Sequence, residues 1–171
     1  DELDGCLRLL DAINREIKVL EEKIRQMVKK DERAIRLKSV PGIGDILSYL
    51  ILYEIGDIKR FSSYKKLASY AGIVPSTHKS GNTYYNGRIT KVGNKYLRWA
   101  FIESAQGAVV SDKRLKMIYK AMVKAKGKSK AKIAIAHKLL KAVYYILREG
   151  KEYNPVPDKP VFTHGQNRPI C

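Results

Sequence analysis

The chain has 171 residues, and its 34 Lys and Arg outnumber its 17 Asp and Glu, which gives a net charge of +17. It has no apolar run of about 18 residues and no basic-then-apolar start, so neither a membrane span nor a secretion signal is expected. Two cysteines are too few for a disulfide framework or a zinc site. A basic chain of this kind attracts polyanions, so we expect a cytoplasmic protein that binds nucleic acid, with no membrane partner.

Positive charge is concentrated in the second half of the chain. Residues 1–33 carry nine acidic and eight basic side chains, whereas residues 76–138 carry fifteen Lys and Arg against two acids. The nucleic-acid face is therefore expected in the second half.

The first segment repeats apolar residues every three and four positions, as a helix does when it pairs with another helix. The a and d positions of four heptads are Leu3, Cys6, Leu10, Ile13, Ile17, Leu20, Ile24 and Met27. This pattern predicts a coiled-coil connector helix over residues 1–31 and a homo-oligomer, either a dimer or a tetramer. The alternative is that the heptad seam packs against the chain's own body.

A short helix at about 32–38, the sequence SVPGIG and a helix at 45–55 follow. Gly42 and Gly44 permit a tight turn, and the backbone N–H groups at the start of the next helix can point at a phosphate. The pattern resembles a helix-hairpin-helix, which binds the nucleic-acid backbone with little base specificity. The alternative is an ordinary turn between two helices, with glycine at the helix end.

The segment after the next helix, which ends at Gly72, lacks helical periodicity. It contains Asn86-Gly87, a pair typical of two-residue turns, so we expect a short loop or a β-hairpin around residues 78–92. This segment would present Ser80, Arg88 and Lys91.

A helix is then expected to open at Gly93-Asn94, with Leu97, Phe101 and Ala105 facing inward and with Lys95 and Arg98 in its first turns. Cations at a helix N-terminus oppose the helix dipole, so an anion is expected between them. Two further helices are predicted at 112–126 and 129–148, and four prolines make 151–171 an extended, docked or disordered tail. The predicted fold is mainly α, with a multi-helix domain over residues 32–150.

Ser80 is the candidate nucleophile. A hydroxyl with Lys79, Arg88 and Lys91 close in sequence is suited to attack a phosphodiester, or simply to grip one. In an extended segment His78 faces the same way as Ser80 and could orient or deprotonate the hydroxyl; otherwise it is a polar loop residue.

Carboxylates are scarce in the basic half of the chain. Glu103 and Asp112 are the only acidic residues of segment 76–138, so a two-metal centre cannot be assembled there.

Several motifs in fixed order, SVPGIG, EIGDIKRFSSYKKLASYAGIVPS, HKSG and ITKVGNKYLRWAFIESA, resemble the C-terminal domain of the IS "one-ten" insertion-sequence transposase family. The resemblance covers about residues 14–153. That family is also described as bridge-RNA-guided recombinases. Its members look like a two-part enzyme, with an N-terminal RuvC-like domain carrying DEDD metal ligands, a coiled-coil connector, and a C-terminal domain with a catalytic serine.

The resemblance implies that Ser80, followed by Gly81, is the nucleophile that cleaves and rejoins DNA strands during transposition. The later motif of the family, Lys-x-Gly-Asn-x-x-Leu-Arg, is matched by Lys91, Gly93, Asn94, Leu97 and Arg98. Lys79, Arg88, Lys91 or Arg98 would neutralise the transition state. The family motif requires no histidine at the position of His78.

The resemblance also implies partners and a cofactor. The partners would be DNA and a guide (bridge) RNA, and the RNA would choose the target. No cofactor is expected on this part of the protein, because Mg²⁺ would be held by the RuvC-like domain. Without that domain the chain is expected to be inactive.

Two other functions fit the residues. One is a non-catalytic nucleic-acid-binding helix-hairpin-helix module, in which Ser80 is only a turn residue. The other is a structural assembly domain, in which the coiled coil matters and the positive charge is secondary.

Overall fold

The computed structural model describes residues 2–80 and 83–155, and of residues 75–80 and 83–88 it describes the backbone alone. The described chain is mainly helical, as the sequence predicts, with one two-stranded sheet. The helices are α1 (Glu2–Lys30), α2 (Glu32–Leu37), α3 (Asp45–Ile55), α4 (Tyr64–Tyr70), α5 (Lys95–Ser111), α6 (Lys113–Lys126) and α7 (Lys128–Glu149). A 3-10 turn covers Ile58–Arg60, and the strands are β1 (Pro75–Ser80) and β2 (Thr83–Ile89). None of the helices described is long and apolar enough to cross a membrane.

The long helix α1 is attached to the body only by its last turns. Val28 is 1% exposed and Ile24 packs against the core. The earlier seam positions lie open: their exposed fractions are Leu3 74%, Leu10 55%, Ile13 48%, Ile17 46% and Leu20 56%. The chain's own body therefore does not cover most of the predicted seam.

The centre of the body is formed by α5 and α7. Leu97 and Phe101 of α5 are fully buried, as the helical spacing predicts, and so are Leu140 and Val143 of α7. Four-residue and three-residue spacing places these side chains on one face of each helix. Truncation of a buried Phe such as Phe101 to Ala typically costs about 3–5 kcal/mol.

The sheet is an antiparallel pair in which Ser80 lies opposite Thr83, so the chain reverses between them. The turn predicted at Asn86-Gly87 is wrong in position, because both residues lie inside β2 and Asn86 pairs with Thr77. The base of the pair is fixed by the Thr90 N–H, which donates to the Val74 oxygen over 3.0 Å. The register shifts by one residue between Pro75 and Thr77, and the pairing beyond this irregularity places Asn86 and Gly87 inside the strand despite the local turn preference of Asn-Gly.

The first residues of the predicted tail are docked. The Tyr153 N–H donates to Ser39 Oγ over 2.8 Å, and the Tyr153 hydroxyl accepts from Arg114 over 3.1 Å. The rest of the tail, residues 156–171, lies outside the described residues. The predicted domain limits at residues 31 and 150 stay a prediction.

Candidate nucleic-acid interface

The root of the hairpin is held against the end of α4. The Asn94 N–H donates to the Tyr70 oxygen over 2.8 Å. Next to it, Gly93 has φ 117°, and a β-carbon there would lie 2.2 Å from the same Tyr70 oxygen. Only glycine permits this backbone conformation and this approach, so the chain leaving β2 is pressed onto α4.

Asn94 uses its whole amide inside the protein. Its Oδ1 accepts from the Leu97 N–H over 2.8 Å and so caps α5. Its Nδ2 donates to the carboxylate of Glu54, at the end of α3, and lies 3.5 Å from the Tyr70 hydroxyl. The structure thus gives Asn94 a positioning role, and the predicted contact with nucleic acid stays a prediction.

Arg98 ties together the two ends of the hairpin segment. Its Nη1 donates to the oxygen of Lys91 over 2.9 Å and to the oxygen of Ala71 over 3.3 Å. Ala71 precedes β1 and Lys91 follows β2, so one guanidinium spans the root. Hydrogen bonds from a charged donor are about twice as strong as neutral ones.

Lys91 combines an unusual backbone with a free side chain. It has φ 55°, the left-handed conformation, which costs a non-glycine residue roughly 1–2 kcal/mol. The Arg98 bond to its oxygen helps to hold that conformation. Its side chain is exposed, so it can meet a phosphate beside the hairpin.

Aromatic rings are exposed next to this root. Tyr96 is 54% and Trp99 51% exposed on the first turns of α5, and the Lys95 ammonium lies 4.9 Å from the Tyr96 ring centroid. Val92, 77% exposed, precedes them. Exposed rings interleaved with cations are typical of surfaces on which nucleic-acid bases stack.

A polar cluster behind the root joins α3, α4 and the turn between them. The Arg60 guanidinium lies 4.7 Å from the centroids of both the Phe61 and Tyr70 rings. Hydrogen bonds from Asn94, and next from Arg60, lower the pKa of Tyr70 below its usual value. The cluster stabilises the root.

Sequence reasoning missed Glu54, Arg60 and Tyr70 as members of this cluster. One signal was present, since Glu54 is the only charged residue of α3 after Asp45. A carboxylate on such a helix needs a partner, and Asn94, 40 positions away, supplies it.

The two glycines of the predicted helix-hairpin-helix have different surroundings. Gly42, with φ 81°, packs on α5, where a β-carbon would lie 2.1 Å from the Ser104 oxygen and 2.5 Å from the Ala108 nitrogen. Gly44, at the N-cap of α3, has open space around it. The first residue of α3, Asp45, pairs with Lys38 over 2.6 Å and puts a negative charge where a phosphate was expected. Nucleic-acid binding by Gly42 and Gly44 stays a prediction.

The side chains of His78, Lys79, Ser80 and Arg88 lie outside the described residues. Their backbone positions are known: Ser80 ends β1, and Lys79 pairs with Tyr84. Their roles in catalysis and in binding stay predictions. Among the residues with described side chains, no three His, Cys, Asp or Glu come together in an arrangement that could hold a metal ion.

Comparison with known proteins identifies the family. Residues 34–120 match the model of the Transposase IS116/IS110/IS902 family. The chain belongs to this family. The match begins in α2 and ends in α6, so it contains the hairpin and its root.

Curated relatives extend the similarity over most of the chain. The transposase for insertion sequence element IS1111A of Coxiella burnetii is 29% identical over 155 residues, which are 87% of this chain and 42% of the relative. The insertion element IS110 uncharacterized 43.6 kDa protein of Streptomyces coelicolor is 28% identical over 146 residues, 84% of this chain and 36% of the relative.

A pilin gene-inverting protein of Moraxella bovis is 36% identical over 129 residues, which are 72% of this chain and 39% of the relative. The chain therefore spans about two fifths of the length of these relatives.

Proposed function

We propose that this chain is the serine-bearing part of a DNA transposase or recombinase, and that the Ser80 hydroxyl is the nucleophile that cuts and rejoins DNA. The observation that carries this proposal is the way in which the hairpin is attached to the helical body. Ser80 ends β1, and the segment that contains both strands is tied at its base by Arg98 and by the Asn94 N–H. A nucleophile must be held in place relative to its target bond, and a hairpin that is fixed where it joins the helical body serves that purpose.

In the proposed step, the Ser80 oxygen forms a bond to a DNA phosphorus as the bond from that phosphorus to one deoxyribose oxygen breaks. The serine proton leaves with a base, and the departing oxygen takes up a proton to become a hydroxyl. The product is a phosphoserine diester and a free DNA end. Attack by a hydroxyl of another DNA end reverses the chemistry and releases Ser80.

Cations beside Ser80 would stabilise the charge that develops on the phosphorus oxygens. Lys79 and Arg88 belong to the two strands, and Lys91 lies just past β2 with an exposed side chain. Arg98 is engaged with two backbone oxygens, so we assign it to positioning rather than to direct contact.

The proposal requires another part of the longer protein. Carboxylates of a RuvC-like domain would hold Mg²⁺, which supplies charge stabilisation at the reacting phosphate. A guide RNA would supply target choice, since this basic chain has surfaces suited to phosphate rather than to a base sequence. The exposed seam of α1 would join copies of the protein into a homo-oligomer, so that two active sites act on one recombination event.

Covalent trapping tests this function. The full-length protein containing this chain is incubated with end-labelled DNA and Mg²⁺, denatured, and separated by size to reveal a protein–DNA adduct. We expect the adduct with the native protein and with Ser76→Ala, a control in the same strand, and none with Ser80→Ala. Mass spectrometry should place the phosphate on the peptide with Ser80. An adduct that forms undiminished in Ser80→Ala would falsify the proposal.

The exposed rings of Tyr96 and Trp99 favour a second candidate, a non-catalytic nucleic-acid-binding module. In that case the full-length protein binds DNA or RNA with a steep salt dependence and forms no adduct under any condition.

A further inference from the structure

One face of α6 carries a row of lysines, formed by Lys113, Lys116, Lys120 and Lys124, all of them exposed. We call it the α6 lysine row. Spacing of three and four residues keeps the four side chains within about 80° of arc around the helix, along about 16 Å of its length. The sequence alone shows only a basic segment, whereas the helix converts it into a line of charge.

The core fixes the direction in which the row points. Leu115 of α6 is 2% exposed, and Ile118 packs partly buried against the same core. Both lie on the side of the helix opposite the lysines, by the 3.6-residue period. The row is therefore presented to solvent because of the way the helix is anchored.

Nothing in the described part of the chain neutralises the row. The helix α6 contains no Asp or Glu, and none of the ion pairs among the described residues involves these four lysines. Asp112, which precedes the helix, accepts from the Leu115 N–H over 2.8 Å and forms none of these ion pairs either. Like charges at i and i+4 destabilise a helix, so the row is an unfavourable arrangement unless an anion binds it.

We propose that the α6 lysine row binds the phosphate backbone of double-stranded DNA, as a surface separate from the serine hairpin. A DNA strand carries one phosphate every few ångströms, so several lysines along a straight line of about 16 Å can each meet one. Lysines that contact phosphates read no bases, so this contact is independent of sequence. The inference takes from the proposed function only that DNA is the partner; it does not depend on serine chemistry.

Duplex DNA fits the row better than a single strand does. Single-strand sites place exposed aromatic rings between the cations, and the one ring of α6, Tyr119, is partly buried against the core. The exposed rings lie instead at the start of α5, and α6 begins at the other end of that helix, about 24 Å along its axis. The two surfaces suit different parts of one DNA substrate.

The salt dependence of binding tests this inference. The 171-residue chain is titrated with a fluorescent DNA duplex of arbitrary sequence at several salt concentrations, and log K is plotted against log salt concentration. Each phosphate contact contributes about 0.9 to the slope, so the double substitution Lys116→Gln, Lys120→Gln should make the slope shallower by about 1.8. The matched control, Lys18→Gln with Lys23→Gln on α1, removes the same charge from exposed positions and should leave the slope unchanged.

Three results overturn the inference. The first is a duplex that fails to bind the native chain at low salt, and the second is an equal change of slope in the two double variants. The third is a slope that becomes shallower in the Lys116→Gln, Lys120→Gln variant when the probe is an RNA duplex or polyglutamate, but stays unchanged when the probe is DNA. Thermal unfolding of each variant verifies folding, and Lys120→Gln alone, with an expected change of about 0.9, replaces any variant that unfolds. The same titration with Ser80→Ala separates the two proposals. This substitution should abolish the adduct in the full-length protein, but it should leave the slope of the 171-residue chain unchanged.

Discussion

The guanidinium of Arg98 donates to the backbone oxygen of Lys91 over 2.9 Å, and the same nitrogen lies 3.3 Å from the oxygen of Ala71. Lys91 and Ala71 are separated by the whole hairpin that carries Ser80. A side chain on α5 therefore controls how that hairpin leaves the helical body. Positioning of this kind can matter for chemistry as much as a charge placed beside the phosphate does.

Replacement of Arg98 by Lys separates these two roles, because it keeps the charge and removes the guanidinium whose Nη1 donates to both oxygens. We expect Arg98→Lys to lower the free energy of unfolding by roughly 1.5–3 kcal/mol in urea titrations, the value of hydrogen bonds from a charged donor. In the full-length protein it should also slow adduct formation. Lys95→Gln, which removes an exposed charge from the same helix, should leave stability within about 0.5 kcal/mol of the native value. Native stability in Arg98→Lys would show that the two bonds do not hold the root.

The two glycines of the turn before α3 should differ in how much stability is lost when each is replaced by alanine. Gly42→Ala should destabilise the chain by about 2–4 kcal/mol, because its β-carbon would overlap the Ser104 oxygen and its φ of 81° is strained for alanine. Gly44→Ala should cost less than about 1 kcal/mol, since its surroundings are open and only the N-cap preference is lost. Chemical denaturation of both variants measures the difference. Equal costs would contradict the packing of Gly42 on α5.

The open seam of α1 predicts self-association. Charges placed on it by Ile13→Glu and Leu20→Glu together should convert an oligomer into a monomer, as seen by sedimentation or light scattering at micromolar concentration. Val19→Glu is the matched control, because Val19 is also about half exposed (49%) but lies off the a and d positions. All these residues are exposed, so the thermal unfolding of the body should not change. A native chain that remains monomeric throughout this range contradicts the prediction.

His137 predicts a specific pH dependence. Burial, and next the nearby charge of Lys141, lower the pKa of His137 below its usual value of 6.5. The neutral ring is thus favoured in the folded state, and it packs edge-on against Tyr64 at 6.0 Å between centroids. Its stabilising contribution is complete above pH 6.5 and is lost as the pH falls from there through the lowered pKa.

Unfolding titrations between pH 8 and pH 5 measure this effect as the difference between the native chain and His137→Gln. The native chain should lose more stability than the variant as the pH falls below 6.5. Equal losses in the two proteins, or an NMR titration midpoint of His137 at or above 6.5, would contradict the assignment.

Much of the fold follows from local sequence. The periodic apolar residues placed α5 and α7 and selected Leu97 and Phe101 for the core, and the breaks at Gly72 and Gly127 fall where helices end. The hairpin turn was misplaced because Asn-Gly is a local preference, whereas the pairing of the two strands, with its register shift between Pro75 and Thr77, places both residues inside β2.

The candidate site was only partly accessible to the same reasoning. Residue type and motif select Ser80 and Lys91. The roles of Asn94 and Arg98 depend instead on partners far away in the sequence: Asn94 contacts residues 24 and 40 positions away, and Arg98 donates to an oxygen 27 positions away. No local pattern encodes such distances along the chain.

The sequence by itself determined that this is a basic, mainly helical chain with an amphipathic first helix and a serine among cations, because charge, period and residue type are local properties. The tertiary structure decided which of those features face one another. It left the α1 seam open, packed Gly42 on α5, bound Arg98 to the hairpin root and aligned the lysines of α6 on the solvent side. These outcomes come from packing between distant elements, where burial of the core side chains sets the orientation of every helix surface that remains outside.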